Sequence, residues 1–200
     1  MSVLSVAAAW WLGLNAWRTP ALPLQWSSHL LAIAVGLLAT LPLIGLLIVF
    51  EHWPPRSLAK LRQSVDKQIV PLLKGHSLAQ FAVLALCAGV GEELLFRGLL
   101  QTWLEQWLPD IMPGGRIVTS ILIAGVIFGA CHWINDQYAL MAAIVGMYLG
   151  AVFVLSNHLL APMTAHAAYD FFALWYLVLY RQRQASVATE SSRPLPPDSE

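Results

Sequence analysis

The stretch HLLAIAVGLLATLPLIGLLIVF, residues 29–50, carries no Asp, Glu, Lys or Arg. A helix rises about 1.5 Å per residue and the hydrocarbon core of a bilayer is about 30 Å thick, so about 20 apolar residues cross it. The run is long enough to span. Working outward, five more runs read as spans: Ser2 to Trp17, which is short; Leu78 to about Trp107, which is long; Ile117 to Trp133; Tyr138 to Leu155; and Leu159 to Tyr180. The expected fold is all-α, a polytopic transmembrane helical bundle of about six spans.

Composition points the same way. The chain is 58% hydrophobic and 11% charged, against about a quarter charged in soluble domains. So little charge cannot cover a water-facing surface, and the lipid bilayer becomes the expected partner. The formal net charge of +0 argues against nucleic acid. Cys87 and Cys131 lie inside apolar runs, imply no disulfide framework and are expected to be small core residues. The N-terminal run lacks a basic n-region and a convincing cleavage site, so it is expected to be a retained span rather than a signal peptide. The tail after Arg183, rich in Ser, Pro and Glu, is expected to be disordered.

Trp17, Trp26, Trp53, Trp103, Trp107 and Trp133 fall near the proposed boundaries, as in the aromatic belts of membrane proteins. Basic residues set orientation. Arg56, Lys60, Arg62, Lys67 and Lys74 lie between the second and third spans, and Arg181 and Arg183 follow the last. An even span count puts this loop and both termini on one side, the cytoplasm. Within the loop, Leu58, Leu61, Val65, Ile69 and Leu72 recur at helical spacing, which predicts an interfacial amphipathic helix with an anchoring role.

The chemistry is concentrated in a few charged groups within the spans. Glu92, Glu93 and Arg97 lie in the third, His132 near the end of the fourth, and His166 and Asp170 in the sixth. A charge at the bilayer centre costs about 2.5–3.5 kcal/mol on insertion scales, so such residues mark a site. In Gly91-Glu92-Glu93-Leu94-Leu95-Phe96-Arg97-Gly98, Glu93 and Arg97 are four apart and share a face, where they are expected to pair. Glu92 points about 100° away and is left for general-base chemistry. His132 follows Phe128 by four residues, and Asp170 follows His166 by four. Asp170 is positioned to set the tautomer of His166. Two histidines with carboxylates also make a zinc-type donor set with water in an open position, so Glu92, His132, His166 and Asp170 are candidate ligands for zinc or another divalent metal. Both readings stand at this point. Gly125 and Gly129, and Gly146 and Gly150, form G-x-x-x-G pairs that allow close helix approach.

Glu92-Glu93-x-x-x-Arg97, Phe128-x-x-x-His132 and His166-x-x-x-Asp170, in this order, resemble the three-motif signature of the CAAX-protease and bacteriocin-processing (CPBP, or Abi) family. The resemblance covers roughly Leu78 to Tyr180. It implies an intramembrane endopeptidase, metal-dependent or glutamate-dependent, acting on a peptide or membrane-protein substrate. It implies Glu92 as the base that activates water, His132 as its assistant, His166 and Asp170 as oxyanion or metal residues, and Glu93, Arg97 and Phe128 in support. The last motif often ends in asparagine; an ionised Asp170 cannot donate a hydrogen bond to an oxyanion.

The expected organisation is N-terminal spans and amphipathic helix over 1–76, a catalytic core over 77–183 and a tail over 184–200. The expected location is a multi-pass position in the cell membrane, the inner membrane in a bacterium. Two other readings compete. One is a non-catalytic scaffold or bacteriocin-immunity protein. The other is a proton-coupled transporter, although no inverted repeat is evident.

Overall fold

The computed structural model describes residues 26–52, 59–73 and 75–180. The run Ser2 to Trp17, the loop from Trp53 to Leu58 and the tail lie outside the described residues. Among the described residues every element is helical. Helix α1 is Trp26–His52. Helix α2 covers 59–73, with a π-helical turn at Val65–Ile69. Helix α3, Leu78–Trp107, is α-helical over Leu78–Glu93, π-helical over Leu94–Gln101 and α-helical again over Thr102–Trp107. Helix α4 is Gly115–Cys131, α5 is Asp136–Ser156, and α6 runs over 160–180 with a π-helical end at Trp175–Tyr180. The chain is thus an all-α bundle. Ser27–His52, Leu78–Trp107 and Asp136–Ser156 are long and apolar enough to cross a membrane; Gly115–Cys131 is apolar but shorter.

Local sequence explains the starts and stops. Ser77 caps α3 by accepting from the Gln80 backbone N–H, and the Gln80 side chain returns the bond to the Ser77 N–H. This reciprocal pair satisfies two donors that a helix start otherwise leaves open. Asn135 caps α5 by accepting from the Tyr138 N–H. Gly75 and Gly114, at φ +91° and +77°, make the turns before α3 and α4, a conformation that other residues rarely adopt.

Helix α6 lies at the centre, packed by α1, α3 and α5, while α4 packs on α5. Small residues permit this. Ala161, Ala165 and Ala167 of α6 are buried, and Gly89 of α3 lies directly against Ala167. Gly129 lies directly against the backbone of Ala139 and against Ala143, which ties α4 to α5. The outer faces carry Leu30, Leu38, Leu84, Leu86, Val126 and Leu140, all exposed, as lipid-facing helices require.

One expectation is corrected. Cys87 and Cys131 are free and exposed rather than core residues. In a bundle whose surroundings are as apolar as its core, hydrophobicity does not decide which way a thiol faces. His158 is buried, and its ring meets that of His29 edge to face, with Nδ1 of His29 2.9 Å from Nε2 of His158.

Candidate active site

Glu92 and Glu93 end the first α-helical part of α3, and the π-helical stretch follows directly. Such widened turns often occur at functional sites. Within it the Arg97 carbonyl takes a hydrogen bond of 2.8 Å from the Thr102 hydroxyl. Arg97 is fully buried. Its Nη1 donates to Glu93 Oε1 at 2.6 Å and its Nη2 to the Gly146 carbonyl at 2.5 Å, across to α5. The guanidinium also lies over the Phe128 ring, 5.1 Å from its centroid. The same Glu93 oxygen accepts from His166 Nδ1 at 2.8 Å. Glu93 therefore joins α3 to α6 while Arg97 joins α3 to α5.

Asp170 faces His166 as the four-residue spacing expects, its Oδ2 3.4 Å from Nε2, while Glu93 takes the Nδ1 position. Glu93 and His166 are 73 residues apart, and no local spacing announces such a contact.

His132 sits at the end of α4, with Nδ1 2.8 Å from the Phe128 carbonyl, to which it donates. Its ring stacks on Phe128 at 4.4 Å between centroids, and Phe128 meets Phe96 and His166 edge-on. Phe128 is thus a buried wedge that sets the positions of both imidazoles. Each histidine spends Nδ1–H on an oxygen acceptor, so each presents Nε2 to the same side chain. Glu92 Oε2 lies 3.5 Å from His132 Nε2 and 4.0 Å from His166 Nε2. It is buried and has no formed hydrogen bond. Because α3 is so much longer than α4, the end of α4 meets the middle of α3, and a histidine at a span end reaches a carboxylate at mid-span.

Glu92, His132, His166 and Asp170 share the wall of a cavity of about 350 Å³. The rest of that wall is mostly apolar and includes Leu61, Val65 and Ile69 of α2. The apolar stripe expected to anchor α2 thus faces the site. Leu61 N–H donates to the Gln137 side chain at 2.9 Å and Asn135 Nδ2 to Ser64 Oγ at 2.7 Å, which hold α2 over the start of α5. Tyr138 and Tyr169 also line the cavity; nothing in their sequence spacing singled them out.

The donor types suit zinc. Asp170 reaches His166 and not His132 within ion-pair distance, and Glu92 is 4.0 Å from His166. Among the described residues no group of three or more His, Cys, Asp or Glu side chains is arranged to hold a metal ion.

Residues 74–172 match the family model described as Type II CAAX prenyl endopeptidase Rce1-like. The chain belongs to the CAAX protease family. The match covers α3, α4, α5 and the part of α6 that carries His166 and Asp170. Membership makes the chain, at family level, a CAAX-type intramembrane endopeptidase. No curated protein and no solved structure matches the chain.

Proposed function

We propose that Glu92 is the general base of a peptide-bond hydrolysis carried out inside the bundle, without a metal. The supporting observation is the carboxylate itself. Its Oε2 is buried without a formed hydrogen bond, flanked by two imidazole Nε2 atoms, on the wall of a cavity. A buried acceptor so left costs about 1–3 kcal/mol, which a protein tolerates where chemistry uses it.

In this reading a water lies between Glu92 and His132. Glu92 takes one proton while the Nε2 lone pair of His132 accepts a hydrogen bond from the other. The water oxygen bonds to the scissile carbonyl carbon and the carbonyl becomes an oxyanion. The C–N bond then breaks, and the proton held on Glu92 passes to the leaving amine. His166, fixed by Glu93, borders the position where the negative charge develops, and Asp170 faces its Nε2. The substrate is a peptide or a membrane protein with an extended segment that enters beside α2. The basic residues around α2 support a cytoplasmic position for that end of the bundle.

Glu92→Gln preserves shape and removes the base. It should reduce cleavage at least 100-fold with little change in substrate binding. Cleavage at the wild-type rate by that variant would remove Glu92 from this role.

A further inference from the structure

Helix α2 closes one side of the cavity without being packed into the bundle. Leu61, Val65 and Ile69 line the cavity, yet none of residues 65–73 is buried. Apolar side chains that border unfilled space have few atoms to pack against. A segment with little burial opens at low cost.

The helices on either side of α2 part where it lies. At mid-length α1 and α5 touch: the Tyr148 hydroxyl donates to the Ala39 carbonyl at 2.7 Å, and Leu43 packs with Leu149. Toward α2 both line the cavity instead, α1 with Leu46 and Phe50, α5 with Met141 and Ala142. Helix α2 bridges the two with polar bonds. The N–H groups of a first helical turn have no acceptor inside their own helix; that of Leu61 finds one on α5, in Gln137 Oε1 at 2.9 Å. Asn135 Nδ2 donates to Ser64 Oγ at 2.7 Å. Toward α1, Arg62 Nη2 donates to Glu51 Oε1 at 3.2 Å. The Arg62 side chain is 43% exposed, and an ion pair so open to solvent is weak. These bonds lie at residues 61–64. Past the other end of α2 stands Gly75, at φ +91° and with open space where a Cβ would be. A glycine there can change its backbone angles at little steric cost.

We propose that α2 is the gate of the cavity. It swings about Gly75, parts from Gln137, Asn135 and Glu51, and opens the space between α1 and α5 to an extended substrate segment. On closing, its apolar stripe covers that segment and excludes bulk water from Glu92. The proposal rests on the peptidase reading above for what enters the cavity.

The experiment uses the full chain in lipid nanodiscs with both native cysteines, Cys87 and Cys131, replaced by Ser. Ser64→Cys with Asn135→Cys places two thiols where the side chains now touch. A short bis-methanethiosulfonate joins them, and dithiothreitol releases them. The probe is a dye-labelled, farnesylated C-a-a-X peptide, bound to the same protein carrying Glu92→Gln so that binding is read apart from cleavage. Linking α2 shut should slow association and dissociation alike, each at least about 50-fold, with Kd within about threefold. Reduction should restore both rates. Glu51→Cys with Arg62→Cys, joined by a longer linker of the same kind, ties α2 to α1 with the Asn135 cap intact and should act alike. Gln137→Ala removes one tie and should speed association about two- to tenfold, the worth of one hydrogen bond. Unchanged association after linking, or a weaker Kd with dissociation unslowed, would overturn the gate. With Glu92 restored, absence of cleavage by the unlinked protein overturns the peptidase reading itself, as does full cleavage in Glu92→Gln. Cleavage that needs Glu92 and continues at full rate with α2 linked overturns the gate alone.

Discussion

His166 Nδ1 and Glu93 Oε1 are 2.8 Å apart, and the same carboxylate oxygen takes Arg97 Nη1 at 2.6 Å. One buried oxygen thus fixes a histidine on α6 and an arginine on α3. The consequence for His166 is geometric. With Nδ1–H spent on Glu93, the ring turns Nε2 toward Glu92 and Asp170. Glu93 is a positioning residue, because it acts through His166 and does not line the cavity.

Replacing Glu93 by Ala leaves Arg97 buried without its paired carboxylate, a loss of about 3–5 kcal/mol. The variant should unfold at a markedly lower temperature and be inactive. A double replacement, Glu93→Ala with Arg97→Met, removes both charges and should recover most of the stability but not the activity, since His166 remains unheld. Thermal melts in nanodiscs alongside peptide cleavage check this. Activity restored together with stability would show that Glu93 serves folding alone.

The helical class, the polar residues and the Glu93–Arg97 pair are legible in sequence because they follow from local spacing. Apolar runs give helices, and a four-residue interval puts two side chains on one face. What spacing cannot supply is the partner across helices. His166 and Asp170 share a face, yet Nδ1 of His166 belongs to Glu93 of another helix. The pattern at Leu61, Val65 and Ile69 gives an amphipathic helix correctly, but periodicity does not reveal whether the apolar stripe meets lipid or a cavity. The positions of Cys87 and Cys131 fail for the same reason. In lipid the inward and outward faces are both apolar, and the moment that orients a soluble helix is lost.

Metal removal discriminates between the two chemistries this donor set permits. If Glu92 acts as a base without a metal, the purified protein should contain well under one equivalent of zinc per chain. Cleavage should survive dialysis against a chelator. Elemental analysis of the protein before and after dialysis, with cleavage measured on the same samples, checks this. Stoichiometric zinc whose removal and return switch the activity off and on would replace the base mechanism with a metal-assisted one.

Gly129 tests how tightly the site depends on helix approach. A Cβ added there would collide with the Ala139 carbonyl and with Ala143, so a larger residue must push α5 away from α4. Overpacking of this kind costs about 1–3 kcal/mol. His132 lies three residues after Gly129 and Tyr138 one residue before Ala139, so the same displacement separates two cavity residues. Gly129→Val should lower both the melting temperature and kcat, whereas Gly45→Ala, at a position with open space around it, should change neither. Normal kcat in Gly129→Val would show that the site tolerates movement of α5.

His158 gives the bundle a dependence on pH remote from the cavity. It lies in the turn between α5 and α6, outside the spanning segments, and its Nδ1 accepts from the Leu160 N–H at 3.2 Å. The neutral ring therefore carries its proton on Nε2, which donates to His29 Nδ1 at 2.9 Å and ties α1 to the start of α6. Burial, and then the neighbouring His29, hold His158 below its ordinary value of 6.5. A histidine whose folded pKa is depressed binds its proton more readily in the unfolded chain, so stability rises with pH. The contribution is complete above about pH 6.5 and is lost as the pH falls below that value toward the folded pKa. Melting temperatures measured from pH 8 down to pH 5 should decline for the wild type over the acid half of the range. His158→Gln should start lower and decline less steeply, because the titrating group is gone. An unchanged slope in that variant would assign the acid sensitivity to other groups and leave the His29–His158 contact as a neutral packing feature.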